Sequence, residues 1–66
     1  MSFYNSNKWK HKRKRILKRD LFLCQECKRY GNDVTANIVH HIFPLEDYPE
    51  LRLNSSNLIS VCGDCH

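Results

Sequence analysis

Two Cys-x-x-Cys pairs, Cys24/Cys27 and Cys62/Cys65, stand far apart in a chain of 66 residues. A two-residue gap lets both sulfurs of one tight turn converge on a single ion. Two such turns supply the four thiolates of a closed tetrahedral zinc site. The separation between the pairs is longer than in the common zinc fingers, and two disulfides or a redox pair are the competing readings. Compartment weighs against the disulfides. The opening stretch MSFYNSNKWKHKRKRILKRD has no apolar signal core. No apolar run approaches the roughly 20 residues needed to span a bilayer. The expected location is therefore the cytoplasm, where thiols stay reduced, and no membrane partner is expected. Size points the same way. So short a chain buries only about 60% of its unfolded surface, and ordering costs on the order of 1.5 kcal/mol per residue, which roughly cancels the yield of such a core. A structural Zn²⁺ worth about 10–16 kcal/mol would decide folding.

The charge is concentrated. The formal net charge is +4 and the pI is near 9.0. Lys8, Lys10, Lys12, Arg13, Lys14, Arg15, Lys18 and Arg19 form one block, with His11 among them. A helix is predicted from Lys8 to about Leu21, because Trp9, Ile16 and Leu17 fall close to one face and cations cover the rest. Such a block is the footprint of a polyanion binder, with DNA backbone phosphates as the expected partner and Lys28, Arg29 and Arg52 as extensions. The plainer reading is a solvated helix that packs Trp9 onto a small core. Residues 1–7 are polar and read as a flexible N-terminus, which leaves 8–66 as one domain.

The rest of the chain reads as short elements. KRYGND is a turn. VTANIVHHIF is rich in β-branched residues and predicts a strand. PLEDYPELRLNSS, with both prolines, predicts an ordered loop, and NLISVC a second strand. Gly63 and Asp64 would open a closing helix, with Asp64 as its N-cap. The expected fold is a small α+β zinc-stabilised domain. It has an N-terminal basic helix, a two-stranded antiparallel hairpin with a long loop, and the start of a closing helix.

His40 and His41 are neighbours on the first predicted strand, so their side chains point to opposite faces. Taken alone, the pair suits one buried, hydrogen-bonded histidine beside one exposed histidine. The wider pattern says more. VHHI, then NLISVC, then CH directly after the second cysteine pair, resembles the HNH endonuclease motif of the ββα-metal fold. The segment FYNSNKWKHKRKRILKRDLFLCQECKRYG resembles the N-terminal half of small zinc-containing HNH nucleases of phages and prophages. In those a Trp-x3-Arg helix leads into Arg-Asp and the first Cys-x-x-Cys; here the positions are Trp9, Arg13, Arg19, Asp20, Cys24 and Cys27. The resemblance runs from about Phe3 to His66.

That resemblance implies a metal-dependent DNA endonuclease that hydrolyses phosphodiester bonds, by nicking or double-strand cutting, with low sequence specificity. It would work in the host cytoplasm if phage-encoded, with packaging proteins as plausible neighbours. His41 matches the general base, and a neutral imidazole near pH 7 suits that task. His40 and His66 match ligands of a catalytic divalent metal. Mg²⁺ prefers oxygen ligands, so Mn²⁺, Ni²⁺ or Zn²⁺ would suit two imidazoles at least as well. Asn57 matches the middle residue of the motif, with a positional role. In the family the closing helix usually continues past the final histidine, so this helix is expected to be truncated after His66. The rival expectation is a non-catalytic zinc-ribbon module that binds nucleic acid. It accounts for the cysteines and the basic helix, but not for His40, His41, Asn57 and His66 arriving together. A partner-recruiting module using Phe3, Tyr4 and Tyr48 is the remaining reading.

Overall fold

The structure, a computed structural model, describes residues 3–66. The described part of the stretch read as a flexible N-terminus carries local structure. Phe3–Asn5 forms one 3₁₀ turn, and Ser6 caps the helix that follows. The Ser6 side chain accepts from the Trp9 backbone N–H at 3.2 Å while its hydroxyl donates to the Phe3 carbonyl at 2.7 Å. This local capping, with Phe3 packed against the core, gives the segment a reason to be ordered. The part of the expectation that falls on residues 1–2 lies outside the described residues.

Helix α1 spans Asn7–Arg19 and buries Trp9, Ile16 and Leu17. It stops two residues before the predicted end. Leu21 N–H bonds to the Lys18 carbonyl and Phe22 N–H to the Leu17 carbonyl, the paired bonds of a Schellman ending. That ending normally uses glycine. Here Leu21 and Phe22 take φ of 57° and 56°, a left-handed conformation that costs an ordinary side chain about 1–2 kcal/mol. Cys24 then opens a short helix α2, Gln25–Arg29, where the sequence predicts only a cysteine knuckle and a turn. Its ending is also a Schellman pair, Gly31 N–H to Lys28 and Asn32 N–H to Cys27, and here glycine supplies the positive φ of 84°.

Strands β1 (Ile38–His41) and β2 (Leu58–Val61) pair antiparallel, with His40 opposite Ile59 and His41 opposite Leu58. Both are shorter than predicted. Upstream of β1, Thr35 makes only an isolated bridge to Leu23. The connecting loop is ordered, as expected, and carries two 3₁₀ turns, Pro49–Leu51 and Ser55–Asn57. After β2 the chain makes a single turn, in which His66 N–H bonds to the Cys62 carbonyl at 3.1 Å. The turn is thus opened by Cys62, and Asp64 sits within it rather than capping it.

The two faces of the hairpin do different work. One carries Val39, His41, Leu58 and Ser60 and lies against α1. The other carries Ile38, His40, Ile59 and Val61 and meets α2 and the cysteines. Trp9, Ile16, Leu17, Cys24, Ala36, Val39, Leu58, Val61 and Cys62 form the core. Helix α1 is fixed to the hairpin by polar contacts as well. Asp20 accepts from the Ser60 backbone N–H at 3.1 Å. Arg19 donates to the carbonyls of Ser55 and Leu58 at 2.9 and 2.8 Å and forks onto both oxygens of Asp20. Burial alone would raise the Asp20 carboxyl, but the bonds from Arg19 and Ser60 outweigh it and hold the group below the ordinary carboxylate range. No helix among the described residues is long and apolar enough to cross a membrane.

Candidate active site

The sulfurs of Cys24, Cys27, Cys62 and Cys65 all lie within 4.8 Å of one another. Tetrahedral Zn²⁺ with Zn–S bonds of about 2.3 Å sets its sulfurs about 3.8 Å apart. Cys27 lies 3.8 Å from Cys62 and 3.6 Å from Cys65, so the residues present fit the ion. The four cysteines are free of disulfides. Burial pushes the Cys24 thiol up, yet backbone N–H groups of Cys27 and Cys62 and the neighbouring thiols bring it down to about 6. Cys65 is raised through its contacts with Cys27, Cys62 and Cys24. Contact with Cys65 draws Cys27 down, but Cys24 and burial leave it raised. Four thiols in one small volume cannot all ionise without a cation among them.

The second site lies where, among the described residues, β1 has no further strand beside it. A cleft of about 740 Å³ opens there, lined by Trp9, Arg13, His40, His41, Glu46 and His66 among others. His40 is exposed and His41 is only 8% exposed, as strand alternation requires. His40 reaches toward the cysteine turn, where its ring meets that of His66 edge-on at 5.7 Å between centroids. Two imidazoles whose nitrogens each sit about 2.1 Å from one ion have centroids roughly 4.5–6.5 Å apart, so this pair also fits a shared cation. His41 faces α1 instead. Its Nε2 lies 3.0 Å from the Arg52 carbonyl oxygen. A carbonyl only accepts, so in the neutral ring Nε2 carries the proton and Nδ1 holds the lone pair.

Asn57 is buried, 4% exposed, beneath this site. Its Oδ1 accepts from the Phe43 backbone N–H at 2.7 Å, and its Nδ2 donates to the carbonyls of Phe43 and Leu51 at 3.2 and 3.3 Å. Its own carbonyl accepts from Ile42 N–H at 2.9 Å. It therefore ties the residues just after His41 to the far end of the loop and to its middle, at Leu51.

The HNH endonuclease family model matches residues 24–66. The chain belongs to the HNH endonuclease family. This HNH endonuclease is also similar to a crystal structure of the deep-sea thermophilic bacteriophage GVE2 HNH endonuclease with manganese ion. The TM-score is 0.94 and the identity 41%, over 97% of this chain and 70% of that one. Among curated proteins there is no match.

The cations divide into two groups. Lys8, Lys10, Lys14, Arg15 and Lys18 are exposed along α1. Lys12 donates to the Ser55 hydroxyl at 2.6 Å, and Arg13 donates to the Asn37 carbonyl at the cleft. Arg19 is also exposed, but its guanidinium is bonded to Asp20, Ser55 and Leu58. Arg29 lies 3.6 Å from Glu26, and Arg52 donates to the Pro49 carbonyl at 2.8 Å. Phe3 and Tyr4 cover Trp9 and His41, while Tyr48 packs on Phe43. Sequence reasoning missed the Arg52 carbonyl, which has no side-chain signature. It also read Trp9 as core and as part of the Trp-x3-Arg pattern, with no role at the site. The one available signal was the one-turn spacing of Trp9 and Arg13, which puts both on the cleft side.

Proposed function

We propose that the protein is a metal-dependent endonuclease that hydrolyses DNA phosphodiester bonds in the cytoplasm of a phage's host. The observation that carries this reading is the arrangement of three histidines around one cleft, two ring to ring and the third with a free Nδ1. His41 acts as general base. Its Nε2–H is committed to the Arg52 carbonyl, which leaves Nδ1 to take a proton from an attacking water. His40 and His66 hold the divalent cation, and their imidazoles suit Mn²⁺, Ni²⁺ or Zn²⁺ at least as well as Mg²⁺. When bound, that ion stabilises charge on the phosphate and the leaving 3′ oxygen. Asn57 fixes the end of β1 and so the height of His41 in the cleft. The cysteine cluster holds Zn²⁺ in a structural role and positions His66, the residue directly after Cys65.

The exposed cations of α1 grip backbone phosphates, which position DNA without reading sequence. Low sequence specificity follows, since base-edge readers are not evident. Phage packaging proteins are the proposed functional neighbours, supported only by the likeness to a phage enzyme.

A supercoiled-plasmid assay with Mg²⁺, Mn²⁺, Ni²⁺ or EDTA, beside His41→Ala, tests the reading. Metal-dependent relaxation that vanishes in His41→Ala with DNA binding intact is the expected result. Binding without cleavage, in this chain and in one extended past His66, would identify a zinc-ribbon binding module instead.

A further inference from the structure

The matched family segment begins at Cys24, yet the ring neighbours of His41 among the described residues all come from upstream. The Trp9 indole stacks on the His41 imidazole, 5.1 Å between centroids and 21° between planes. Phe3 and Tyr4 brace that stack. Their rings lie 5.3 and 5.4 Å from Trp9 and 6.2 and 6.1 Å from His41. Trp9 is itself only 5% exposed and cannot swing away.

One hydrogen bond leaves an imidazole free to rotate about it. The bond from Nε2 to the Arg52 carbonyl fixes one ring atom, and a flat face is needed to fix the plane. The flat face lies on α1, the helix that also carries the exposed cations. Arg13, one turn along, lines the same cleft. The helix that grips phosphate and the surface that sets the base are thus one rigid body.

We propose that Trp9 is a positioning residue for His41, its indole fixing the imidazole plane so that Nδ1 faces the cleft. This rests on the nuclease reading above for its consequence in rate, but not for the ring geometry. Positional errors of about 1 Å in a reacting group cost up to about a hundredfold in rate, so a loose ring would be felt in turnover and not in DNA binding.

The test uses the full zinc-loaded chain with Trp9→Phe and Trp9→Leu. Phenylalanine keeps a flat face; leucine keeps apolar volume without one. Circular dichroism and zinc stoichiometry establish that each variant is folded. The expected result is Trp9→Phe within about threefold of the parent rate, and Trp9→Leu slower by about tenfold or more, with DNA affinity in both unchanged. Nitrogen-15 spectra of the imidazole, which separate the two tautomers, should show one Nε2–H form for His41 in the parent and in Trp9→Phe. In Trp9→Leu the unsupported ring also turns off the Arg52 carbonyl, so that Nε2–H loses its acceptor and the spectrum should show a mixture. A folded Trp9→Leu that keeps the single tautomer and the parent rate would overturn the proposal. So would a rate loss that tracks only the unfolded fraction. If the parent itself cleaves nothing, the nuclease reading fails, and the nitrogen spectra alone decide the positioning. Should Trp9→Leu not fold, Trp9→Phe carries the decision, because a tautomer mixture there with an intact fold would equally overturn it.

Discussion

Asn57 and Phe43 exchange two hydrogen bonds across the mouth of the long loop, the Phe43 N–H donating to Oδ1 and Nδ2 donating to the Phe43 carbonyl. A side-chain amide here imitates one more rung of the β1–β2 ladder, just where the strands part. With its third bond, to Leu51, the buried amide has both ends satisfied. Replacing Asn57 by alanine leaves the Phe43 N–H and carbonyl without partners, while the Leu51 carbonyl keeps the Asn54 N–H at 3.1 Å. We expect a loss of about 2–4 kcal/mol. Denaturant unfolding of the zinc-loaded protein measures it. A change below about 0.5 kcal/mol would mean that water replaces the amide without cost.

Arg19 and the exposed lysines of α1 should separate cleanly. Arg19→Lys keeps the charge but loses the fork that reaches Asp20, Ser55 and Leu58 at once. It should lower stability by about 1–2 kcal/mol, the partial exposure of the group holding the figure down, and leave the salt dependence of DNA binding unchanged. Lys10→Ala, Lys14→Ala and Lys18→Ala should do the reverse. Removing a cation that neutralises one phosphate makes the slope of log affinity against log salt shallower by roughly 0.9, with stability changes within about 0.5 kcal/mol. Parallel thermal melts and salt titrations give both quantities. Equal salt effects from Arg19 and the lysines would contradict the division.

Zinc should be required for the fold, and its hold should strengthen with pH. The sulfurs bind as thiolates, so each thiol that must ionise releases a proton. Cys24 ionises above about pH 6. Its folded-state value is depressed from the ordinary 9.0, so the stabilisation from that thiolate is fully present above about pH 9, shrinks as the pH falls, and is gone below about 6. Cys27 and Cys65 are raised and release their protons only when zinc enters. Competition against a chelator between about pH 6 and 8 should therefore show affinity rising by about tenfold or more per unit. Stripping the ion should abolish the circular dichroism of the folded state, and an unchanged spectrum after verified zinc loss would refute the requirement.

Leu21 offers a gain rather than a loss. It is 69% exposed and holds φ at 57°, so its side chain contributes little while its backbone is strained. Leu21→Gly should raise the stability by up to about 1 kcal/mol, the relief being partly offset by the greater freedom of glycine in the unfolded chain. Denaturant titration of the two proteins measures the difference. A fall in stability would show that the exposed leucine makes contacts worth more than the strain.

Short-range spacing encodes much of what is legible along the chain. The two cysteine knuckles, the cationic helix with Trp9, Ile16 and Leu17 inward, the two short strands and the His-His, Asn, His order can all be read there. Each depends on residues a few positions apart or on a motif of fixed order. The alternation of a strand also required that His40 and His41 part company. It did not say which would be buried. That followed from α1 packing on one face of the hairpin and the cysteine turn closing on the other, a matter of contacts between residues distant in sequence. The same holds for Arg19, indistinguishable in sequence from the cations around it. Its guanidinium is bonded within the protein only because the carbonyls of Ser55 and Leu58 arrive beside it. The Nε2 proton of His41 is settled by a backbone oxygen, a group that every residue carries and no sequence pattern marks. Local periodicity thus fixes which side chains are available, while tertiary packing decides which atoms of them remain free.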